Sequence, residues 1–279
     1  MPFRLYILPA LGDMHLGKLG VADLEHWYAA LRDRGLGPAS IRKAHTIVRA
    51  ALAQAVRWGW TTTNAAALAR PPLVPKAVIA TPKPAAVRLM LAAAREHDPE
   101  LAVYLHLAAV TGARPGEMCG LRGSDIDVDR AELQINRRIL EIQPTPKVQD
   151  LTKTGKTRRI PLDRSVLGAL ARYRTERESV ATMCRITLPF DAYVFSDTAD
   201  GSGFWRPDST SRRYRKLRLD HDLENVTLYC LRHQAATTMI DNGVDAKTVS
   251  ERLGNSVATV LGSAPPRRRR TRTSKQSTN

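Results

Sequence analysis

Residues 111–117 read Thr-Gly-Ala-Arg-Pro-Gly-Glu, and residues 231–233 read Leu-Arg-His. In the first stretch Arg114 follows a Thr-Gly pair that is typical of a helix end. In the second, Arg232 lies near the start of another expected helix. Two guanidinium groups could hold one phosphate between them, because each presents a rigid fork of N–H donors that stays charged at neutral pH. This pair of arginines therefore indicates phosphodiester chemistry on DNA, and the rest of the chain is interpreted around it.

The charge of the chain also favours a nucleic-acid partner. The protein has 279 residues, enough for one large domain or two modest ones, and a hydrophobic fraction of 43% that supports a packed core. Its net charge is +16, of which residues 263–279 supply six charges, so residues 1–262 still carry +10. A basic body of this kind favours a nucleic acid as the partner. The alternative is a basic helical protein that binds RNA or ribosomes, or no nucleic acid at all.

Cysteine usage and hydropathy exclude several other classes of protein. The three cysteines, Cys119, Cys184 and Cys230, are far apart and form no CxxC or Cys/His metal-ligand spacing. We therefore expect a reduced, cytoplasmic protein with no metal and no cofactor. No apolar run approaches the ~18 residues of a membrane span, and the first residues lack the apolar core of a signal peptide.

The first 70 residues are expected to be helical. Leu24, Trp27, Tyr28 and Leu31 have the spacing of one buried helix face. We expect Ser40 to cap the next helix, which ends near residues 58–60.

That second helix carries Arg42, Lys43 and Arg49 opposite its apolar face. These basic residues are either a solvated helix surface or contacts to DNA.

Prolines punctuate residues 71–84 and predict a linker, because proline disfavours helix in the residue before it. Beyond the linker we expect helices, with residues 132–140 and 158–162 as strands of one small antiparallel sheet. The helices are expected near residues 87–96, 99–110, 114–121, 163–177, 208–219, 230–241 and 245–253. The predicted fold class is mainly α with a small antiparallel β-sheet (α+β). The predicted domains are a helical DNA-binding domain (1–70), the linker (71–84), a second domain (85–262) and a disordered basic tail (263–279).

The chain resembles the tyrosine recombinase (phage integrase) family, of actinobacterial type. Residues 7–12 and 55–60 resemble the start and end of that family's core-binding domain. Four segments of the second domain resemble its catalytic boxes, in the expected order: residues 111–117 with 121 and 125–127, residues 153–154 with 159–162, residues 231–233, and residues 253–254. The resemblance implies two domains that form a C-shaped clamp around duplex DNA and recombine it at a specific site, without ATP or metal. It also implies a homo-oligomer, a tetrameric synapse.

The resemblance also implies roles for individual residues. Arg114 and Arg232 would hold the scissile phosphate, and Lys153 would protonate the departing 5′ oxygen, with Lys156 as the rival. Tyr229 stands where the family usually has histidine, and Asn255 where it usually has histidine or tryptophan; both side chains can donate to a phosphate. Glu117 is expected to orient Arg114, and His233 to pack or support its neighbours.

This chain departs from the family pattern at the position of the nucleophile. It normally lies about nine residues beyond the position of Asn255, which falls on Ala264, and the last tyrosine of the sequence is Tyr229. Two explanations stay open for the Pro- and Arg-rich residues after Leu261: a frameshift that replaced the true C-terminus, or a polybasic tail that grips DNA. Tyr229 as nucleophile is a weaker alternative, because it occupies a phosphate-contact position. The first explanation predicts an integrase that binds DNA without cutting it and assembles weakly, and an N-terminal arm-binding domain is also expected to be missing.

Overall fold

In the computed structural model, which describes residues 3–75, 82–142, 145–151, 157–223, 226–257 and 260, helices surround a large apolar core in each half of the chain, and a smaller apolar cluster lies beside the second. The chain divides into two compact units, Met1–Val78 and Ile79–Asn279. The small β content is antiparallel. The mainly α class with a small antiparallel sheet component is therefore confirmed.

The first unit is a small helical bundle built on two long helices. Its α-helices are α1 (Leu8–Leu11), α2 (Val21–Asp33), α3 (Pro38–Arg57) and α4 (Ala65–Leu68). The expected stripe of α2 is buried, and it packs against the buried face of α3. The sequence prediction of the α3 cap was wrong: Gly37 is the N-cap and Pro38 is the first helical residue, so Ser40 lies inside the first turn. Proline suits that position because the N–H it lacks would have had no helical partner.

Polar groups inside the first core are paired. The indole Nε1 of Trp27 donates to the carbonyl of Tyr6 at 3.1 Å. The hydroxyl of Tyr28 lies 2.7 Å from Nδ1 of His45, which is buried on α3. The first bond ties α2 to the segment before α1, and the second joins α2 to α3 and so orients the exposed face of α3.

The second unit places its helices around two small sheets. Its helices are α5 (Pro84–His97), α6 (Pro99–Thr111), α7 (Pro115–Cys119), α8 (Arg164–Met183), α9 (Pro207–Asp220), α10 (Leu228–Asp241) and α11 (Ala246–Leu253). Its strands are β1 (Ile126–Asp127), β2 (Glu132–Ile135), β3 (Arg137–Leu140), β4 (Lys147–Asp150) and β5 (Arg158–Pro161). The core between them contains large buried side chains such as Tyr104, Phe195 and Met118. Most of these helices begin and end within a few residues of the sequence prediction.

The strand expected over residues 132–140 is not continuous, and the single sheet expected is two. Strands β1, β2 and β5 form one sheet, whereas β3 pairs with β4 in another. The break is at Asn136. Its side-chain Nδ2 donates to Oδ1 of Asp125 at 2.8 Å, and its backbone carbonyl accepts from the backbone N–H of Leu151. The bond from Leu151 is in register with the pairing of β3 and β4, so the backbone of Asn136 already joins the second sheet and the chain changes sheets at this residue. The alternation of apolar and polar residues persists across the break and conceals it from the sequence.

Several sequence predictions fall outside the described residues. Lys153 and its rival Lys156 lie in residues 152–156, between β4 and β5, and the basic tail 263–279 lies beyond the last described position. Their expected roles remain predictions.

Candidate active site

Arg114 is held at a turn between two helices. Helix α6 ends at Thr111, and Gly112 has a φ of 60°, in the left-handed region that favours glycine. A side chain at Gly112 would also collide with Leu253, since a Cβ would lie 2.5 Å from its Cδ2. Arg114 then caps α7, and its backbone N–H donates to the Glu117 carboxylate at 2.8 Å. Glycine and the cap together fix the point from which the arginine side chain departs.

Arg232 is the buried partner of Arg114. It lies in the first turns of α10, which Thr227 caps by accepting from the backbone of Cys230. Only 5% of Arg232 is exposed. Its guanidinium donates to the carbonyl of Gly112 at 2.5 Å and to the carbonyl of Leu253. Arg232 thus ties the end of α6 to the end of α11.

The two arginines converge on one atom. Nη2 of Arg114 and Nη2 of Arg232 both donate to Oδ1 of Asn255, at 2.9 and 2.8 Å. Arg114 also donates to the carbonyl of Gly254 at 2.8 Å. Gly254 closes α11 with a φ of 63°, which turns Asn255 back towards the arginines. A single acceptor oxygen is therefore shared by two guanidinium groups that come from helices 118 positions apart in the sequence (114 and 232).

Sequence reasoning missed a third arginine, Arg158 on β5. Its guanidinium makes a two-pronged contact with Glu117, at 3.0 Å (Nη1 to Oε1) and 2.5 Å (Nη2 to Oε2). Its Nε donates to the carbonyl of Arg252 at 2.7 Å. The same Oε1 of Glu117 accepts from Nη1 of Arg114 at 3.0 Å. The sequence predicts Arg158 only as the first residue of a strand, because an ordinary arginine in so basic a chain gives no signal of its burial.

The charge states of this cluster follow from its burial. Burial, and then the charge of Arg114, lowers the pKa of Arg232 to about 10, so the side chain is still a cation at neutral pH. Burial raises the pKa of Glu117, but hydrogen bonds from Arg158 and Arg114 outweigh it and keep the pKa below its ordinary value. One buried carboxylate thus faces three guanidinium groups, and the site retains a net positive charge.

Tyr229 and His233 lie on the same helix beside Arg232. Tyr229 is 56% exposed, and its ring contacts the edge of the His233 ring at a centroid distance of 4.6 Å. His233 is buried, and among the described residues its Nε2 has no hydrogen-bond partner. Burial, and then the charge of Arg232, lowers the pKa of His233. Tyr229, Arg232 and Asn255 line one small cavity, which places Tyr229 beside Arg232.

A solvent-open cavity of about 890 Å³ adjoins the cluster. Five arginines contribute to its lining: Arg114, Arg138, Arg158, Arg159 and Arg252. The strand β5 that forms one wall continues from the segment that contains Lys153. The cavity is suited to a polyanion, because its cationic groups outnumber the acids that line it.

The remaining candidates lie in the first unit. Arg42, Lys43 and Arg49 are all exposed on α3. In the described parts of the chain, no group of three or more His, Cys, Asp or Glu residues is arranged to hold a metal ion. The helices described there are also too short or too polar to cross a membrane.

Comparison with known proteins places this geometry in context. The family described as "Phage integrase family" matches residues 83–260. The ICEBs1 integrase of Bacillus subtilis is 28% identical over 159 residues, which cover 57% of this chain and 42% of that protein. Tyrosine recombinase XerC of Brucella melitensis is 28% identical over 248 residues, which cover 86% of this chain and 71% of the relative. The chain thus spans about two fifths of the length of the Bacillus relative and most of XerC.

Solved structures with the same fold include two integrases in complex with DNA. The Tn1549 transposon integrase in complex with circular intermediate DNA superposes with a TM-score of 0.77 and 16% identity, covering 95% of this chain and 87% of that one. A lambda integrase tetramer bound to a Holliday junction superposes with a TM-score of 0.64 and 19% identity, covering 93% and 68%. At these identities the likeness establishes the fold alone.

Proposed function

Since the chain belongs to the phage integrase family, we propose that it acts in site-specific recombination of DNA as a tyrosine recombinase. One observation carries the proposal: Arg114 and Arg232 donate to the same oxygen, Oδ1 of Asn255. Two like charges that converge on one acceptor form a site for an anion with several oxygens, and a DNA phosphate is such an anion.

The chemistry follows from where charge develops. Attack on a phosphodiester builds negative charge on the non-bridging oxygens, and donors already in place stabilise that charge without reorganising. Arg232 is buried and tethered by carbonyls, whereas the Arg114 side chain is 41% exposed. We therefore assign Arg232 as the fixed half of the phosphate site and Arg114 as the half that meets the incoming strand.

The other roles are assigned from the resemblance to the family and, for the described residues, from their contacts in the structure. Lys153 is proposed as the general acid for the departing 5′ oxygen, and Tyr229 and Asn255 as further donors to the phosphate. Glu117 orients Arg114 through its two hydrogen bonds to that residue. In the family's mechanism a tyrosine oxygen attacks the phosphorus and the 5′ oxygen leaves. The phosphotyrosine bond keeps the energy for religation.

A second candidate function is DNA binding without cleavage. The sequence favours it at one point: no tyrosine follows Tyr229, and the expected nucleophile position is Ala264. An arginine pair without an attacking group binds a phosphate but forms no covalent link to it. On this hypothesis the family's C-terminal nucleophile segment is replaced in this chain, and the protein occupies sites of an actinobacterial-type mobile element.

The partners are proposed in the same way. We propose duplex DNA as the substrate. Residues 1–70 are proposed as a core-binding domain that contacts the DNA through Arg42, Lys43 and Arg49, and residues 85–262 as the catalytic domain. The lambda integrase neighbour is a tetramer on a Holliday junction. We propose a similar homo-oligomer on DNA, weakened here, in the cytoplasm and without a metal ion.

The test separates binding from cleavage. Affinity for a labelled duplex is measured by fluorescence anisotropy across a salt series. We expect log Kd to rise linearly with log salt concentration, because phosphate contacts release counterions. Arg114→Ala should weaken binding, whereas Arg130→Ala, in the same unit with a side chain 68% exposed, should not.

Covalent chemistry is read from a denaturing gel with a nicked suicide substrate. A protein–DNA band that survives denaturation supports recombination, and its absence with intact DNA binding supports the second candidate. Salt-independent affinity, or an Arg114→Ala variant that binds like the unaltered protein, would overturn both.

A further inference from the structure

Helix α3 presents an exposed face with basic residues and no acidic ones. Between Asp33 and Glu96 the sequence contains no acidic residue. Arg42, Thr46, Arg49, Ala53 and Arg57 are exposed at the three- and four-residue spacing of one helix face, opposite the buried face. The helix is about 30 Å long. Its charge and the small residues along it would allow close approach to a phosphate backbone.

Two tryptophans follow directly at the end of this helix. Trp58 is 59% exposed and Trp60 is 64% exposed, and their rings are 4.6 Å apart. Their backbones are fixed, since the N–H of Trp58 bonds to Gln54 and that of Trp60 to Ala55. The other two tryptophans, Trp27 and Trp205, are buried. A rigid backbone thus displays two large apolar rings in water, at a cost that a partner would relieve.

We propose that Trp58 and Trp60 form an apolar contact with the sugar edge of duplex DNA, beside the phosphates that the basic face of α3 binds. This inference rests on the proposed function and extends it to an identified surface. Charge complementarity selects the occupant: Arg57 immediately precedes Trp58, and a second copy of this chain would bring like charges together. An indole also fits a nucleotide, because it combines an apolar face with one N–H donor.

The first readout is the accessibility of the two rings. In the full chain, acrylamide quenching of tryptophan emission should report Trp58 and Trp60, because the other two are buried. Saturation with a duplex should lower the quenching constant at least about twofold. Protection by single-stranded DNA but not by duplex, or protection that rises with protein concentration alone, would overturn the duplex assignment. Rings already shielded in the free chain would do the same.

The second readout is the affinity of variants at fixed salt. Trp58→Ala with Trp60→Ala should raise Kd about tenfold, on the order of the burial of one large apolar side chain. The salt slope should be unchanged, because no charge is lost, whereas Arg49→Ala should reduce it by about one. Leu68→Ala is the matched control, since Leu68 is 72% exposed in the same unit. Phenylalanine at both positions should restore most of the affinity.

The outcomes distinguish the inference from the proposed function. A chain that binds duplex with a steep salt slope, but whose double alanine variant binds equally well, refutes the tryptophan contact and leaves the proposed function standing. A chain that does not bind duplex refutes both.

Discussion

Replacing Arg158 with methionine tests the buried charge network directly. Arg158 and Glu117 have side chains only 8% and 3% exposed, and two hydrogen bonds join them. Removing one partner of a buried pair typically costs about 3–5 kcal/mol, because the other charge is left without compensation. Glu117 keeps Arg114 as a second partner, so we expect the lower end, about 3 kcal/mol. For a unit of this size that corresponds to a fall in Tm of about 6–12 °C.

The assay is calorimetric unfolding of the full chain, followed at the transition of the second unit. Arg159→Met is the matched control, because Arg159 is the next residue on β5, its side chain is 60% exposed, and its ion pair with Glu132 spans 3.9 Å. We expect that variant to change the free energy of unfolding by less than about 0.5 kcal/mol. Equal effects of the two variants would refute the assignment of Arg158 as a buried structural cation.

A double-mutant cycle of Arg158→Met with Glu117→Gln tests how the two residues together affect DNA binding. Without Arg158, Arg114 is the one remaining side chain that donates hydrogen bonds to Glu117 among the described residues, so the carboxylate competes more strongly with a phosphate for it. Arg158→Met should therefore weaken DNA binding, and adding Glu117→Gln should restore part of the affinity, because no buried carboxylate then competes for Arg114. Additive losses of affinity in the double variant would contradict this competition.

Three further predictions concern other parts of the chain. Burial, and then the charges of neighbouring arginines, lowers the pKa of His45 below its ordinary 6.5, so the unfolded chain binds more protons than the folded one. Urea unfolding should therefore show the first unit losing stability as pH falls below about 6.5. The dependence of stability on pH should be smaller in His45→Gln. Gly254→Ala should cost about 1–2 kcal/mol of backbone strain, measured by thermal unfolding. It should also weaken DNA binding, because its Cβ would lie 3.3 Å from Nη1 of Arg158 and 3.5 Å from Nη1 of Arg114. Gly35→Ala, at φ +83° in open space, is the control that should show the strain alone. Iodoacetamide should label the exposed Cys184 long before the buried Cys119, because burial raises the pKa of Cys119 to about 12. Mass spectrometry of the labelled peptides measures the two rates, and equal rates would contradict the burial of Cys119.

The sequence predicted the helices and the arginine pair for identifiable reasons. Amphipathic spacing is local, so the stripe of α2 and the end of α6 at Gly112 could be found from neighbouring residues. The function of Arg114 and Arg232 was predicted from motifs that resemble a family. Their convergence on Asn255 could not be worked out from the spacing of the motifs.

The failures have a different origin. Ser40 has a good capping side chain, but Pro38 with its fixed φ starts the helix earlier. Arg158 gains its role from a carboxylate 41 positions away, and nothing local in the sequence marks that contact. The break at Asn136 depends on Asp125, which is close only after folding. In each case a tertiary contact or a stronger local constraint overrides a pattern that was correctly identified.

The shared acceptor, Oδ1 of Asn255, brings two like charges together at one point. A guanidinium has donors and no acceptors, so the oxygen of the Asn255 amide must face Arg114 and Arg232, and the amide nitrogen must point away. The amide carries no net charge and offsets the repulsion between the two arginines only in part. A phosphate carries a full negative charge and several acceptor oxygens, so it satisfies both guanidiniums better than the amide does. If the amide turns as the phosphate enters, its N–H₂ becomes a further donor to that phosphate. We therefore propose that the Asn255 amide holds Arg114 and Arg232 together and that a DNA phosphate takes its place, so that the donors are pre-organised.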